Sequence, residues 1–183
     1  MRAEIQARIK GLSQEQRQSR SQQACALLAD RAIWHKAKSI FLYAPMTKEI
    51  DLLGLVMGAL ESGKKIAFPR FDAATAGYIV CTISKPEELR PRRFNILEPV
   101  ASCSRISLNA LDLALVPGVA FDLLGHRLGR GGGHYDRLLA ELDGIKCGVA
   151  FDEQMVARVP IEAHDVRLNC ILTPTRWIEV ARP

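Results

Sequence analysis

The sequence predicts an α/β fold built on a largely parallel sheet, and three observations carry that prediction. Short apolar runs of strand length alternate with segments of helical periodicity, as βαβ units require. Several of those runs, such as Ser39-Ile40-Phe41-Leu42-Tyr43, have the compact apolar form of buried strands. The 183 residues, 48% hydrophobic and 25% charged, match one ordinary globular domain in size and composition.

The elements follow in order. Residues 3–10 read as a short helix. Ser13-Gln14-Glu15-Gln16 has the Ser-x-x-Gln form of a capping box, so a second helix starts there and carries Ala24, Leu27 and Leu28. The run at 39–43, bounded by Pro45, is the first buried strand. Asp51 then caps a helical pattern of Leu52, Leu55, Val56, Ala59 and Leu60, closed by Ser62-Gly63. A second strand is expected at 65–69, with four more at 78–83, 112–116, 146–151 and 169–173. A further helix is expected over 134–142. Between 84 and 110, Lys85-Pro86, Arg90-Pro91 and Glu98-Pro99 punctuate an ordered excursion over the sheet. Internal repeats and low-complexity linkers are absent.

Composition excludes several classes. No stretch reaches about 18 consecutive apolar residues, so no membrane span is expected. The opening Met1-Arg2-Ala3-Glu4-Ile5-Gln6 lacks the apolar core of a secretory signal, which makes a cytoplasmic protein the expectation. Cys25, Cys81, Cys103, Cys147 and Cys170 form no C-x-x-C pair, so a zinc or redox motif is not expected and the thiols read as structural. A net charge of +5 suits an anionic partner. Dispersed basic residues and an aromatic content of only 6% argue against nucleic acid.

The chemistry concentrates in residues 111–140. Five of the 13 glycines fall between Gly125 and Gly133, after a buried strand and directly before a helix. Without Cβ atoms, Gly131, Gly132 and Gly133 let backbone N–H groups converge on an anion. Arg127 and Arg130 add two permanent charges with a fork geometry suited to phosphate. Asp136, in the first helical turn, is placed for a metal ion or for a dipole interaction. The segment is neither a Walker A loop nor a Rossmann G-x-G-x-x-G in its usual place. It reads as a phosphate-binding turn of another type.

The run Pro117-Gly118-Val119-Ala120-Phe121-Asp122, followed by Gly125-His126-Arg127-Leu128-Gly129-Arg130-Gly131-Gly132-Gly133-His134-Tyr135-Asp136-Arg137, resembles the signature of the 5-formyltetrahydrofolate cyclo-ligase family, also called methenyltetrahydrofolate synthetase. Tyr43-Ala44-Pro45 with Glu49, Gly63-Lys64-Lys65 leading into Pro69, Phe94-Asn95-Ile96-Leu97-Glu98-Pro99, His164-Asp165 and Thr173-Pro174 extend the resemblance over nearly the whole chain.

The resemblance implies a single Rossmann-like, three-layer α/β/α domain over residues 1–183. It implies an ATP- and Mg²⁺-dependent enzyme that closes 5-formyltetrahydrofolate, polyglutamylated or not, to 5,10-methenyltetrahydrofolate. ADP and phosphate are the other products, and the protein is expected to be a monomer. Arg127, Leu128, Gly129, Arg130, Gly131, Gly132, Gly133, His134 and Tyr135 would hold ATP, with Arg2 reaching it from the N-terminal segment. Arg130 and Tyr135 would be catalytic. Glu49, Tyr135 and Leu42 would contact the folate, and Asp136 and Asp165 would hold Mg²⁺. His134 stands where the family has Tyr or Phe, and the family's lysine ahead of the arginine matched by Arg2 has no counterpart. A non-catalytic folate- or nucleotide-binding protein is the alternative reading.

Overall fold

A computed structural model describes residues 1–181; the expected domain runs two residues further, to Arg182 and Pro183, which lie outside the described residues. Helices α1 (Arg2–Lys10), α2 (Gln14–Ala29) and α3 (Ala32–Lys36) lead into strand β1 (Ser39–Phe41). Then come α4 (Val56–Glu61), β2 (Lys65–Asp72), β3 (Gly77–Ile83), β4 (Leu89–Pro91), β5 (Leu97–Pro99) and β6 (Leu113–Pro117). A short hairpin of β7 (Ala120–Phe121) and β8 (Arg127–Leu128) precedes α5 (His134–Ala140), β9 (Ile145–Val149), β10 (Cys170–Leu172) and β11 (Trp177–Glu179).

Local chemistry explains where several elements start and stop. The Ser13 hydroxyl accepts from the Gln16 N–H while the Gln16 side chain accepts from the Ser13 N–H, so both halves of the capping box are formed. Asp51 Oδ1 accepts from the Leu53 N–H at 2.8 Å and starts a single 3₁₀ turn, after which α4 proceeds. Pro69 lies within β2, where it would remove a ladder donor. It is tolerated because β1 pairs with β2 only from Lys65 to Ala67.

Seven strands form the main sheet in the order β11-β10-β9-β6-β1-β2-β3. The five inner strands run parallel, and β3 and β11 pair antiparallel at the two edges. The sequence reading missed β11 and the two small hairpins, whose strands of two or three residues are too short to show a period. Side chains alternate across the sheet. Ile40, Leu42, Ile66, Phe68, Leu113, Leu115, Cys147, Val149 and Leu172 pack with Ile5, Leu28, Trp34 and Val56 of α1–α4. Phe41, Ala67, Ala114, Val116 and Ile171 face the other way, onto Phe121 and Leu138 and Leu139 of α5. The three layers are therefore unequal, with four helices on one face and one helix plus loops on the other.

The strand order places a functional crevice. From the central β1–β6 pair the chain moves outward in opposite directions, to β2 by way of α4 and to β9 by way of α5. Crossovers of one hand then put α4 and α5 on opposite faces. The loops leaving the carboxyl ends of β1 and β6 diverge at this switch point, which is where open α/β sheets bind ligands.

Candidate active site

Two loops meet in that crevice. The first leaves β1 and carries Glu49. It is anchored by the buried Tyr43, whose hydroxyl donates to the Ile50 carbonyl. The second leaves β6 through Gly118, where a Cβ would lie 2.6 Å from the Phe121 ring and 2.9 Å from Arg127 Cγ. Only glycine lets the β7–β8 hairpin fold back this tightly. The hairpin turn is organised by the buried Asp122 carboxylate, which accepts from the N–H groups of Leu124, His126 and Val159 and faces His126 Nδ1 at 3.0 Å. Burial pushes the Asp122 carboxyl up, but the Val159 and His126 donors outweigh it and hold it below the ordinary aspartate value.

Arg127 leaves β8 with its side chain 3% exposed. Its Nη2 donates to Asp136 Oδ1 at 2.7 Å, its Nη1 to the Pro117 carbonyl at 3.4 Å, and its guanidinium sits 5.7 Å from the centre of the Tyr135 ring. Its Nε is buried without a partner among the described residues. An unspent, buried cationic donor at the mouth of a glycine turn is suited to an incoming oxyanion.

The turn itself runs from Gly129 to Gly133, with Gly131 at φ +101° and Gly133 at φ +62°. Among the described residues, the N–H groups of Gly131, Gly132 and Gly133 donate to no backbone carbonyl. Arg130, half-exposed, reaches across the crevice so that its Nη2 meets Glu49 Oε1 at 2.9 Å. Glu49 Oε2 accepts from the Met46 N–H at 2.9 Å. Arg2 of α1 donates from Nε to the Gly129 carbonyl at 3.0 Å and ties the N-terminal helix to the turn.

These groups enclose a cavity of about 190 Å³ walled by Glu49, Pro69, Tyr78, Ile96, Glu98 and Tyr135, with Arg127, Arg130 and the glycines at one end. A second cavity of about 280 Å³ lies between α1 and the loop after β1, lined by Ile5, Gln6, Ile9, Lys48 and Gln154. The two share Met46, Gly118 and Arg130. Burial, reinforced by the Glu49 carboxylate and opposed by Arg127, pushes the Tyr135 hydroxyl far above the usual tyrosine value. It therefore stays a neutral hydrogen-bond donor at any working pH.

The model of the 5-formyltetrahydrofolate cyclo-ligase family matches residues 1–174. The chain belongs to this family. It is 32% identical over 177 residues to 5-formyltetrahydrofolate cyclo-ligase of Escherichia coli K12, covering 94% of this chain and 97% of that one. To the cyclo-ligase of Mus musculus it is 30% identical over 188 residues, 94% of this chain and 91% of the relative. Among solved structures, the 5,10-methenyltetrahydrofolate synthetase of Aquifex aeolicus superposes with a TM-score of 0.88 at 32% identity, over all of this chain and 92% of the other.

The structure brings most of the residues expected from the cyclo-ligase resemblance to one place. Glu49, Arg127, Gly129, Arg130, Gly132, Gly133, His134, Tyr135 and Asp136 line the first cavity, Gly131 lies on the same turn, and Arg2 touches it. Leu128 supports the turn from β8, its carbonyl accepting from the Val119 N–H at 2.7 Å. Two of the expected residues lie apart from this cavity. Leu42 is 1% exposed and packs with the α1–α4 core, because strand alternation turns it away from the cavity. Asp165 does not line the cavity with Asp136; its Oδ2 closes a turn by accepting from the Glu162 N–H at 2.7 Å. No three His, Cys, Asp or Glu side chains converge on a metal position among the described residues. Sequence reasoning missed Tyr78 and Glu98 as cavity walls. The signals for Glu98 were its place in the Phe94–Pro99 segment of the resemblance and its charge in an otherwise apolar run, Ile96-Leu97-Glu98-Pro99.

Proposed function

We propose that this protein is an ATP-dependent 5-formyltetrahydrofolate cyclo-ligase, and that its reaction runs where the two cavities join at Arg130. The observation that carries this reading is the pairing of a phosphate-binding turn with an aromatic, carboxylate-lined cavity on a chain of this family. The folate ring system would occupy the cavity of about 190 Å³, and the nucleoside the one against α1. The triphosphate would then lie along Gly129–Gly133, with Arg2 steadying the turn.

In the proposed route the formyl oxygen attacks the γ-phosphorus of ATP, the bond to the bridging oxygen breaks, and ADP leaves. The carbon bearing the phosphorylated oxygen is then attacked by the nitrogen at position 10, which loses its proton as the C–O bond breaks and phosphate departs. A formamide oxygen is a poor leaving group and phosphate a good one, so the protein has chiefly to align two anions and stabilise the charge in transit. Arg130 spans both ligands and supplies that charge. Binding of phosphate at the turn would draw Arg130 from Glu49. The neutral Tyr135 hydroxyl would donate a hydrogen bond to the formyl-bearing part of the folate.

A magnesium ion fits as a partner of the phosphates and not as a caged ion. Asp136 faces the cavity with Oδ2 free of hydrogen-bond partners among the described residues, and phosphate oxygens and water would complete the shell. Bound there, the ion would neutralise triphosphate charge. We take the enzyme to act as a cytoplasmic monomer formed as a single domain, on folate with or without a polyglutamate tail.

The test is spectrophotometric. Protein mixed with 5-formyltetrahydrofolate and MgATP should develop the absorbance of methenyltetrahydrofolate, and omission of ATP or magnesium should abolish it. Saturable folate binding without ATP-dependent product would replace this reading with that of a sequestering protein.

A further inference from the structure

Three carboxylates line the first cavity, and they are differently engaged: Asp136 is paired with Arg127. Both oxygens of Glu49 are engaged, Oε1 by Arg130 and Oε2 by the Met46 N–H. Glu98, on β5, is 7% exposed and has no cation partner among the described residues. Its one hydrogen bond there is through Oε2, which accepts from the Phe71 N–H at 3.2 Å. A buried carboxylate without a cation is costly unless donors are supplied to it. Glu98 still has lone pairs on both oxygens for a ligand that supplies them.

The surroundings narrow the ligand. Tyr78, Tyr135, Pro69 and Ile96 line the same cavity and offer flat apolar walls. A planar ring with two adjacent N–H donors on one edge satisfies both conditions, since it can engage a carboxylate in parallel as a guanidinium does. In 5-formyltetrahydrofolate, the pyrimidine half of the pterin carries such an edge in its N3–H and 2-amino groups.

We propose that Glu98 recognises the substrate by accepting the paired N3–H and 2-amino donors of the pterin. The assignment rests on the folate reading given above. Glu98 would be a specificity residue distant from the phosphoryl transfer, and a site built on such a donor pair should reject rings that lack it.

The experiment compares 5-formyltetrahydrofolate with its 2-desamino-2-methyl analogue on the wild type, Glu98→Gln and Glu98→Asp. It measures binding by calorimetry without ATP, and steady-state rates with MgATP. Glutamine keeps the carbonyl that accepts from Phe71 but loses the second acceptor, and aspartate withdraws the carboxylate by one methylene. The wild type should bind the parent about 100-fold more tightly than the analogue, and both variants should discriminate by less than about threefold. The KM for ATP should stay within about twofold of wild type, because the lost interaction is confined to the folate.

A wild type that binds parent and analogue equally overturns the proposal. So does a variant that keeps wild-type discrimination, or one that loses only thermal stability. Discrimination that depends on Glu98 in a wild type that shows no turnover would uphold the recognition role and reject the catalytic reading. Failure of the wild type to bind the folate at all would reject both.

Discussion

Arg130 and Asp122 show how differently two charged side chains on either side of β8 can serve. Arg130 is half-exposed and its ion pair with Glu49 spans open crevice, so the pair contributes no more than about 1 kcal/mol to folding. Arg130→Ala should leave the urea midpoint nearly unchanged while lowering kcat/KM by a factor of about 10³, the usual cost of removing a donor that meets transition-state charge. Near-wild-type turnover would remove Arg130 from the mechanism. Asp122 is the reverse case, fully buried and bonded to three backbone N–H groups. Asp122→Ala should cost about 3 kcal/mol, because those donors would be left unpaired. Its folded carboxyl lies below the ordinary value, so its contribution is complete above the unfolded value near about 3.9 and is lost as pH falls through the folded value. Urea titrations from pH 7 to pH 3 should show the wild type losing this increment on acidification and the Ala variant lacking it. Equal acid sensitivity in both would contradict the assignment.

At the scale of the element, the glycine turn and the sheet use glycine for different reasons, and substitution should separate them. Gly131 has φ +101° and no atom within 4 Å of a built Cβ, so Gly131→Ala meets backbone strain but no clash. It should cost about 1–2 kcal/mol or be relieved by a shift of the turn. Either outcome should raise the KM for ATP, read in initial-rate titrations, far more than it lowers the thermal midpoint. Gly148 on β9 has ordinary backbone angles, yet a Cβ there would lie 2.7 Å from both Phe121 Cε1 and Leu168 Cδ1. Gly148→Ala should therefore destabilise by about 1–3 kcal/mol through overpacking, with KM values unchanged where the protein is folded. Much at this scale was legible in the sequence. The Ser13–Gln16 box, the apolar runs at β1 and β6 and the glycines before α5 are local signals, carried by residues within a few positions of one another. The β4–β5 and β7–β8 hairpins and β11 were not legible, because two or three residues carry no period and their pairing comes from the surface they rest on.

The whole molecule decides how the pieces of the site meet. Arg130 and Glu49 are 81 positions apart, and Arg2 and Gly129 are 127 apart. They meet only because β1 and β6 are neighbours at the point where the strand order reverses. Ligands that bridge those loops should stabilise the fold as a unit. At about 100 times its dissociation constant, MgATP should add about 2.7 kcal/mol, a rise of about 5–10 °C in the thermal midpoint for a domain of this size. Chelation of the metal should reverse much of the rise, and no shift at saturating MgATP would count against the nucleotide site.

The sequence alone determined the fold class, the order of the principal elements, the glycine turn with its two arginines and the family resemblance. All of these depend on neighbouring residues and their spacing. The tertiary structure decided which predicted residues share a cavity. It turned Leu42 into the core by the alternation of β1, kept Asp165 in a turn of its own, paired Arg127 with Asp136, and brought Glu98 to the cavity wall beside Glu49 and Tyr135. The physical reason is the same in each case. Periodicity and capping act over a turn or a strand, whereas which loops face one another depends on the order of strands in the sheet, and that order is set by burial summed over the whole chain.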